Sequence, residues 1–464
     1  MLLKAFHTAW NSTGQIAATQ QQLLQEHLAH CQRNSPYYRR MLAGVATGKI
    51  TLESLAFLPF TDKDVFSEHN ADFLAVPPEE IVDIVLSSGT TGAPSTVMYT
   101  ERDLQRLAYN EALSFAACGV TRKDTALLTC TLDRCFVAGL AYQMGLRQLG
   151  AAVIRNGAST LASHCDLIHS HKPTVLVGVP SFLRKLGLFL KENYLDPADS
   201  SVRRLICIGE PLRDADLTPL KLGRDLESLW QAEAFSTYAS SETVSTFCEC
   251  TARCGGHLHP ELAIVEIVDA AGNRLPAGQH GEVILTPLQC EGMPLVRFRT
   301  GDVSFLIEEP CACGRITPRL GPVLGRLSQM IKTKGTTVYP LSILAALNSI
   351  AGLIDGTSTI IAENSGCYLD PAEVYRTFTC DSGTAQNFTL PVGASQLVGI
   401  EYSFFKIGSG RLTITAGAGG DFIQDSSAGG TVYCDDAKLA SIKLKLVAEH
   451  LWMIVPMTNS WTTT

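Results

Sequence analysis

The sequence predicts an α/β fold with a mostly parallel sheet, followed by a β-rich tail. Three observations lead there. Over residues 81–268, short apolar runs (TALLTCTL, AAVI, TVLVGVP, LICIGEP) alternate with stretches of helical spacing (RDLQRLAYNEALSFAACG, SFLRKLGLFLKENY). That alternation marks strand–helix–strand units with parallel strands. Residues 260–325 are richer in strand, with AGN and AGQHG as turns inside LAIVEIVDAAGNRLPAGQHGEVILTPL. After Ile354 the texture changes again: Gly, Ser and Thr dominate and short alternating runs follow one another, as in RTFTCDSGTAQNFTLPVG and IKLKLVAEHLWMIVP. Such runs with glycine turns read as all-β.

In chain order, residues 1–45 read as helix, since Leu23, Leu24, His27, Leu28 and Cys31 recur at helical spacing before the breaker SPYYRR. LPFTDKDVF reads as a turn into a helix with Thr61 or Asp62 as its cap. ERDLQRLAYNEAL starts another near Thr100. No internal repeat stands out. The chain's 464 residues exceed what one core usually serves, and the change of composition puts a domain boundary near 355.

Hydrophobic residues make up 46% and charged residues 18%, a globular balance. A net charge of −8 without a long basic run argues against a nucleic-acid partner. Arg147 interrupts the longest apolar region, 136–154, so no membrane span is expected. The start, MLLKAFHTAWNSTGQ, has no secretory pattern. A cytoplasmic location is the expectation.

Four motifs can carry chemistry. LSSGTTGAPST follows an apolar run and offers the hydroxyls of Ser87, Ser88, Thr90 and Thr91, while Gly89 and Gly92 let backbone N–H groups approach an anion. It is a phosphate cradle or a plain surface turn. In YASSET, Tyr238 can stack on a purine, Ser241 can bond a phosphate and Glu242 can hold Mg²⁺; a tyrosine beside a helix cap is the bland alternative. In RFRTGD, Asp302 can accept both hydroxyls of a ribose, or be a solvated turn residue. In GRLSQMIKTKG, Arg326 and two lysines suit an acidic ligand, or form a charged surface strand.

In this order SSGTTGxP, GEP, YxxSE, RTGD and GRxxxMIKxKG resemble the adenylate-forming superfamily, and over roughly residues 15–353 the phenylacetate–CoA ligase branch. SPYYRRM, LPFTDKDVF, HKPTVLVGVPSFLRKL and PCACGR share that branch's texture. The resemblance implies an enzyme that activates a carboxylic acid with ATP to an acyl-adenylate and passes the acyl group to coenzyme A. It implies β- and γ-phosphates on the loop, and adenine between Tyr238 and the Gly209, Glu210, Pro211 turn. It also implies Ser241 on the α-phosphate, Mg²⁺ on Glu242, and the ribose on Asp302 and Arg326. Thr90, Ser241 and Glu242 form the implied catalytic set. Many superfamily members have a lysine where Ser95 stands here; metal and backbone dipoles are expected to suffice. An acid pocket lined by Phe136, Val137, Ala138 and Gly139 would suit an aromatic or medium-chain acid.

Six of the fifteen cysteines lie between Cys248 and Cys313. FCECTARCGGHLH and PCACGR can close a structural Zn²⁺ site, with Cys250, Cys254, Cys311 and Cys313 as preferred ligands and His257 as substitute for Cys254. Free thiols are the alternative.

Ala239 replaces a usual glycine, and Ser328 a usual acidic hinge residue. The expected division is a core over 1–325, an incomplete small C-terminal domain over 326–355, and a tail over 356–464. No catalytic role transfers to Lys406, Lys438, Lys443 or Lys445. The tail faintly resembles bacteriophage tail-fibre repeats. Two alternatives stay open: transfer of the acyl group to an amine or carrier protein, and a non-catalytic fusion carrying a ligase remnant. A homodimer is a further possibility.

Overall fold

The structure, a computed structural model, describes residues 10–86 and 95–327, and beyond residue 330 a set of strands. The first helix, α1 (Thr13–Asn34), begins where the Ser12 side chain accepts from the Gln15 N–H. It buries Ile16, Leu24, His27, Leu28 and Cys31. The helix read within 1–45 ends at Asn34, and the breaker read in SPYYRR starts at Ser35. This residue is extended (ψ 122°), as a following proline requires, and its side chain caps α2 (Pro36–Met41). The helix α3 (Lys63–Glu68) follows with Asp62 in the capping position. Thr61 instead bonds the Val296 carbonyl and the Tyr38 hydroxyl, fastening this region to the strand-rich part of the core.

Strands β1 (Ile81–Leu86) and β2 (Thr96–Thr100) pair antiparallel. Thr100 and Asp103 then form a reciprocal capping box that starts α4 (Glu101–Ala117). From there the alternation read in the sequence is realised. In order come β3 (Thr125–Leu128), α5 (Val137–Leu149), β4 (Ala152–Arg155), α6 (Leu161–His171) and β5 (Val175–Gly178). After them run α7 (Pro180–Asn193), β6 (Arg204–Ile208), α8 (Lys221–Trp230), β7 (Glu233–Ser240) and β8 (Ser245–Cys248). They make a six-stranded sheet in the order β4-β3-β5-β6-β7-β8, parallel except for β8. Alternate side chains feed two cores. Ala126, Leu128, Val175, Val177 and Ile206 belong to one, and Leu127, Leu176, Leu205 and Cys207 to the other. Burial on both faces is why these strands read as continuous apolar runs.

The strand-rich part comprises β9 (Gly256–His257), β10 (Ala263–Val268), β11 (Gly281–Pro287) and β12 (Phe298–Ser304). The short β13 (Leu306–Ile307), β14 (Arg319–Leu320) and β15 (Gly325–Arg326) complete it. β10-β11-β12-β15 form one antiparallel sheet and β13-β14-β9 a smaller one. Arg106 of α4 stitches the parts together. Its buried guanidinium donates to the main-chain carbonyls of Leu288, Val244 and Leu262, which lie in three separate stretches of chain.

The chain divides into two compact units, Met1–Ala351 and Gly352–Thr464. In the first, Ile331–Thr333 and Thr336–Val338 pair as an antiparallel hairpin; the helix expected after it lies outside the described residues. In the second, the described residues are all strand. One sheet has six strands and includes Glu401–Lys406, Ala440–Ala448 and Leu451–Thr458; another has four and includes Leu412–Thr415 and Thr431–Cys434.

Candidate active site

The carboxyl ends of the parallel strands open into a cavity of about 830 Å³. Ligands bind at this edge of an α/β sheet because strand ends and loops converge there. Thr129, Cys130 and Thr131 reach it after β3, Val179 after β5, and Gly209, Glu210 and Pro211 after β6. Gly209 takes φ +78°, which only glycine adopts freely, and so turns the chain into the cavity. The Glu210 carboxylate accepts from the Ser181 N–H (2.9 Å) and hydroxyl (2.8 Å), capping the first turn of α7.

Tyr238, at the end of β7, donates its hydroxyl to Asp302 (3.1 Å) and lies parallel to Phe247 at 6.2 Å. Burial first, then the Asp302 charge, pushes the phenol well above its ordinary range. Asp302 pairs across the β12–β15 ladder with Arg326, whose Nε is 3.2 Å from its carboxylate. Burial raises the Asp302 pKa, opposed by Arg326 and Lys63. The next turn carries Ser241, whose carbonyl accepts from the Tyr99 hydroxyl at 3.0 Å. It also carries Glu242, which accepts from the Ser240 hydroxyl at 3.0 Å. All of these residues line the one cavity. Ser87, Ser88, Gly89, Thr90, Thr91 and Gly92 lie outside the described residues, although the strand ends that flank them, Leu86 and Thr96, face each other in the β1–β2 ladder.

Phe136, Val137 and Ala138 of the expected acid pocket also line the cavity. Gly139 does not: a Cβ built there would meet the Thr131 carbonyl at 2.3 Å, so this glycine serves the close packing of α5. Two lining residues were missed in the sequence. Lys63, in the first turn of α3, places its amine 3.5 Å from Glu242. Glu111 enters from α4. Lys63 had a signal, a lone cation in TDKDVF, but that stretch was read only as a helix start.

Apart from the cavity lining, Cys250, His257, Cys311 and Cys313 bring their ligand atoms within 4.8 Å of one another. Cys250 and Cys311 sulfurs are 3.5 Å apart, and Cys313 is 3.3 Å from His257 Nε2. A tetrahedral zinc with Zn–S near 2.3 Å needs ligand atoms about 3.8 Å apart, so the set fits. His257 Nδ1 is held by the Thr317 hydroxyl at 2.9 Å, leaving Nε2 for a metal. Burial, reinforced by Arg315 and Arg319, lowers the imidazole to about 4 and keeps it neutral. Cys254 is the correction to the preferred set. Its thiol turns to the Ala252 carbonyl, because the chain reverses through Arg253 and Gly255 at positive φ. Cys248 and Cys290 lie outside the cluster.

Residues 22–287 match the family described as AMP-binding enzyme. The chain belongs to that family. Phenylacetate-coenzyme A ligase of Thermus thermophilus is 32% identical over 367 residues, spanning 77% of this AMP-binding enzyme and 80% of the relative. The Pseudomonas putida protein of the same name is 31% identical, spanning 81% and 84%. Among solved structures, 2-hydroxyisobutyryl-CoA ligase in the postadenylation state superimposes with a TM-score of 0.68. It is 23% identical and covers 76% of this AMP-binding enzyme and 77% of that chain, a likeness of fold. Among the described residues no helix is long and apolar enough to cross a membrane.

Proposed function

We propose that this AMP-binding enzyme is an acid–thiol ligase of the phenylacetate–CoA ligase type, acting on an aryl or acyl carboxylic acid. One observation carries the reading: Glu210, Tyr238, Glu242, Asp302 and Arg326 line a single cavity at the carboxyl edge of the sheet. The acid's carboxylate attacks the α-phosphorus of ATP, forming an acyl–phosphate bond and releasing pyrophosphate. The thiol of coenzyme A then displaces AMP. Asp302, held by Arg326 and Tyr238, presents acceptor oxygens to a ribose. The parallel arrangement of Tyr238 on Phe247 keeps a flat wall ready for a purine. The loop hydroxyls, Thr90 among them, would take the outer phosphates, and Ser241 the α-phosphate.

Mg²⁺ bound with the triphosphate would neutralise phosphate charge. Glu242 fits that ion, since one cavity-facing carboxylate together with phosphate oxygens is a usual Mg²⁺ donor set. Lys63 adds a cation on the same side, beside Glu242. A structural zinc held by Cys250, His257, Cys311 and Cys313 would tie the loop before β9 to the segment before β14. We assign the core to 1–325, the beginning of a small C-terminal domain to 326–355 and the tail to 356–464, with a cytoplasmic setting.

The test is carboxylate-dependent exchange of labelled pyrophosphate into ATP across a panel of aryl and fatty acids. Exchange with at least one acid is the expected result. Failure with every acid, while ATP still binds, would overturn the activity and favour a ligase remnant. Thioester formed with coenzyme A, rather than an amide with an added amine, separates the acceptors.

A further inference from the structure

The lining of the cavity on the α4–α5 side contains one acid. Glu111 of α4 is 2% exposed and shares that wall with Cys130, Ala138, Ala141 and Tyr142. Its place is built. Asn110 exchanges two hydrogen bonds with the Thr246 backbone, fixing the rotation of α4 against β8. Gly145 of α5 makes room: a Cβ there would sit 2.2 Å from the Glu111 Cβ. One Glu111 oxygen accepts from the Thr246 hydroxyl. The other has no hydrogen-bond partner among the described residues, and the residue lines the cavity.

A carboxyl group in an apolar wall costs free energy unless it is paired or kept neutral. The titratable groups facing it are the Cys130 thiol, beyond β3, and the Tyr142 phenol, on α5, both buried and both pushed upward themselves. No lysine, arginine or histidine pairs with it among the described residues. Burial, against the Thr246 hydrogen bond, therefore raises Glu111 to about 8. An apolar side chain would fill this position without that cost if the ligand there were wholly apolar.

We propose that Glu111 is a specificity residue, which hydrogen-bonds an amino or hydroxyl substituent on the body of the acid substrate. The substrate class narrows from aryl or acyl acids at large to those bearing such a group. This inference rests on the ligase reading.

Pyrophosphate exchange with matched acids tests it: benzoate and phenylacetate against their ring-amino and ring-hydroxyl derivatives. The wild-type chain is expected to favour one substituted series by at least about tenfold in kcat/KM, the loss typical of an unmade hydrogen bond to a buried polar group. Glu111→Val should abolish the preference, and Glu111→Gln should retain most of it, with the KM for ATP unchanged in both. A substituted-to-plain ratio unaltered by Glu111→Val, or a wild-type preference for the plain acids, would overturn the proposal. Calorimetric binding of the same acids separates this from the ligase reading. Selective binding lost in Glu111→Val supports the assignment even where exchange is silent, and no difference overturns it. Stability supplies a further readout. The unfolded carboxyl ionises near pH 4.3 and the folded one near 8. The folded state thus holds the extra proton, and stability falls as pH rises through that window. Glu111→Gln should flatten the fall; an unchanged slope would contradict a neutral buried carboxyl.

Discussion

Lys63 answers a question that the glycine-rich loop raises. LSSGTTGAPST contains no lysine, yet the cavity has an amine, delivered by α3 and 3.5 Å from Glu242. In the proposed ATP complex, that amine would have a choice between a carboxylate and phosphate oxygens. A charge-assisted bond is worth about 1.5–3 kcal/mol, so Lys63→Met should raise the KM for ATP by about tenfold to a hundredfold in exchange kinetics. The melting temperature should hold, because the pair is only partly buried. An unchanged KM would reduce Lys63 to a counter-ion for Glu242. Neither Lys63 nor Glu111 was legible as a site residue, and for one reason. Each lies on a helix whose other residues explain its sequence, and only the tertiary fold shows which turn faces the cavity.

At the scale of elements, the two arms proposed to hold zinc are the sharpest case. Cysteine spacing pointed to two arms from distant stretches but ranked Cys254 above His257, since a close-spaced thiol pair reads as the more usual arm. Backbone geometry decides: the reversal at Arg253 and Gly255 swings Cys254 away and carries His257 into β9 beside β14. Metal analysis of the purified protein should therefore find about one zinc per chain. Cys311→Ser and His257→Ala should lose most of it, while Cys254→Ser keeps it; the opposite pattern would restore the Cys254 set. Chelation should lower the melting temperature by several degrees, as loss of a structural metal does. The parallel strands were easier to read. TALL, VLVG and LICI are apolar on both faces because each strand feeds two cores. The break between α1 and α2 was legible too: SPYYRR reads as a breaker, and Ser35 with Pro36 carries the cap-and-proline signal.

At the scale of the molecule, the change in composition near 355 lies close to the division of the chain after Ala351. The cavity lining falls wholly within the first unit. A chain ending at Ala351 should accordingly bind ATP within about twofold of the full protein, measured by calorimetry and well under the tenfold that 1.4 kcal/mol represents. A weakening of more than tenfold would give the second unit a share in nucleotide binding. What the sequence could not reveal at this scale is how the first unit is held together, because its ties are single residues meeting carbonyls far along the chain.

Arg106 bears on the order in which the first unit assembles. The Leu262 and Leu288 carbonyls come together when β10 pairs with β11, but the Val244 carbonyl and α4 itself arrive from other parts of the chain. Until all three arrive, burying the guanidinium leaves a cation short of acceptors, and that is costly. Partly assembled species are thus raised in energy relative to both ends of the reaction. One side chain helps make unfolding of the two sheets a single cooperative event rather than a gradual peeling.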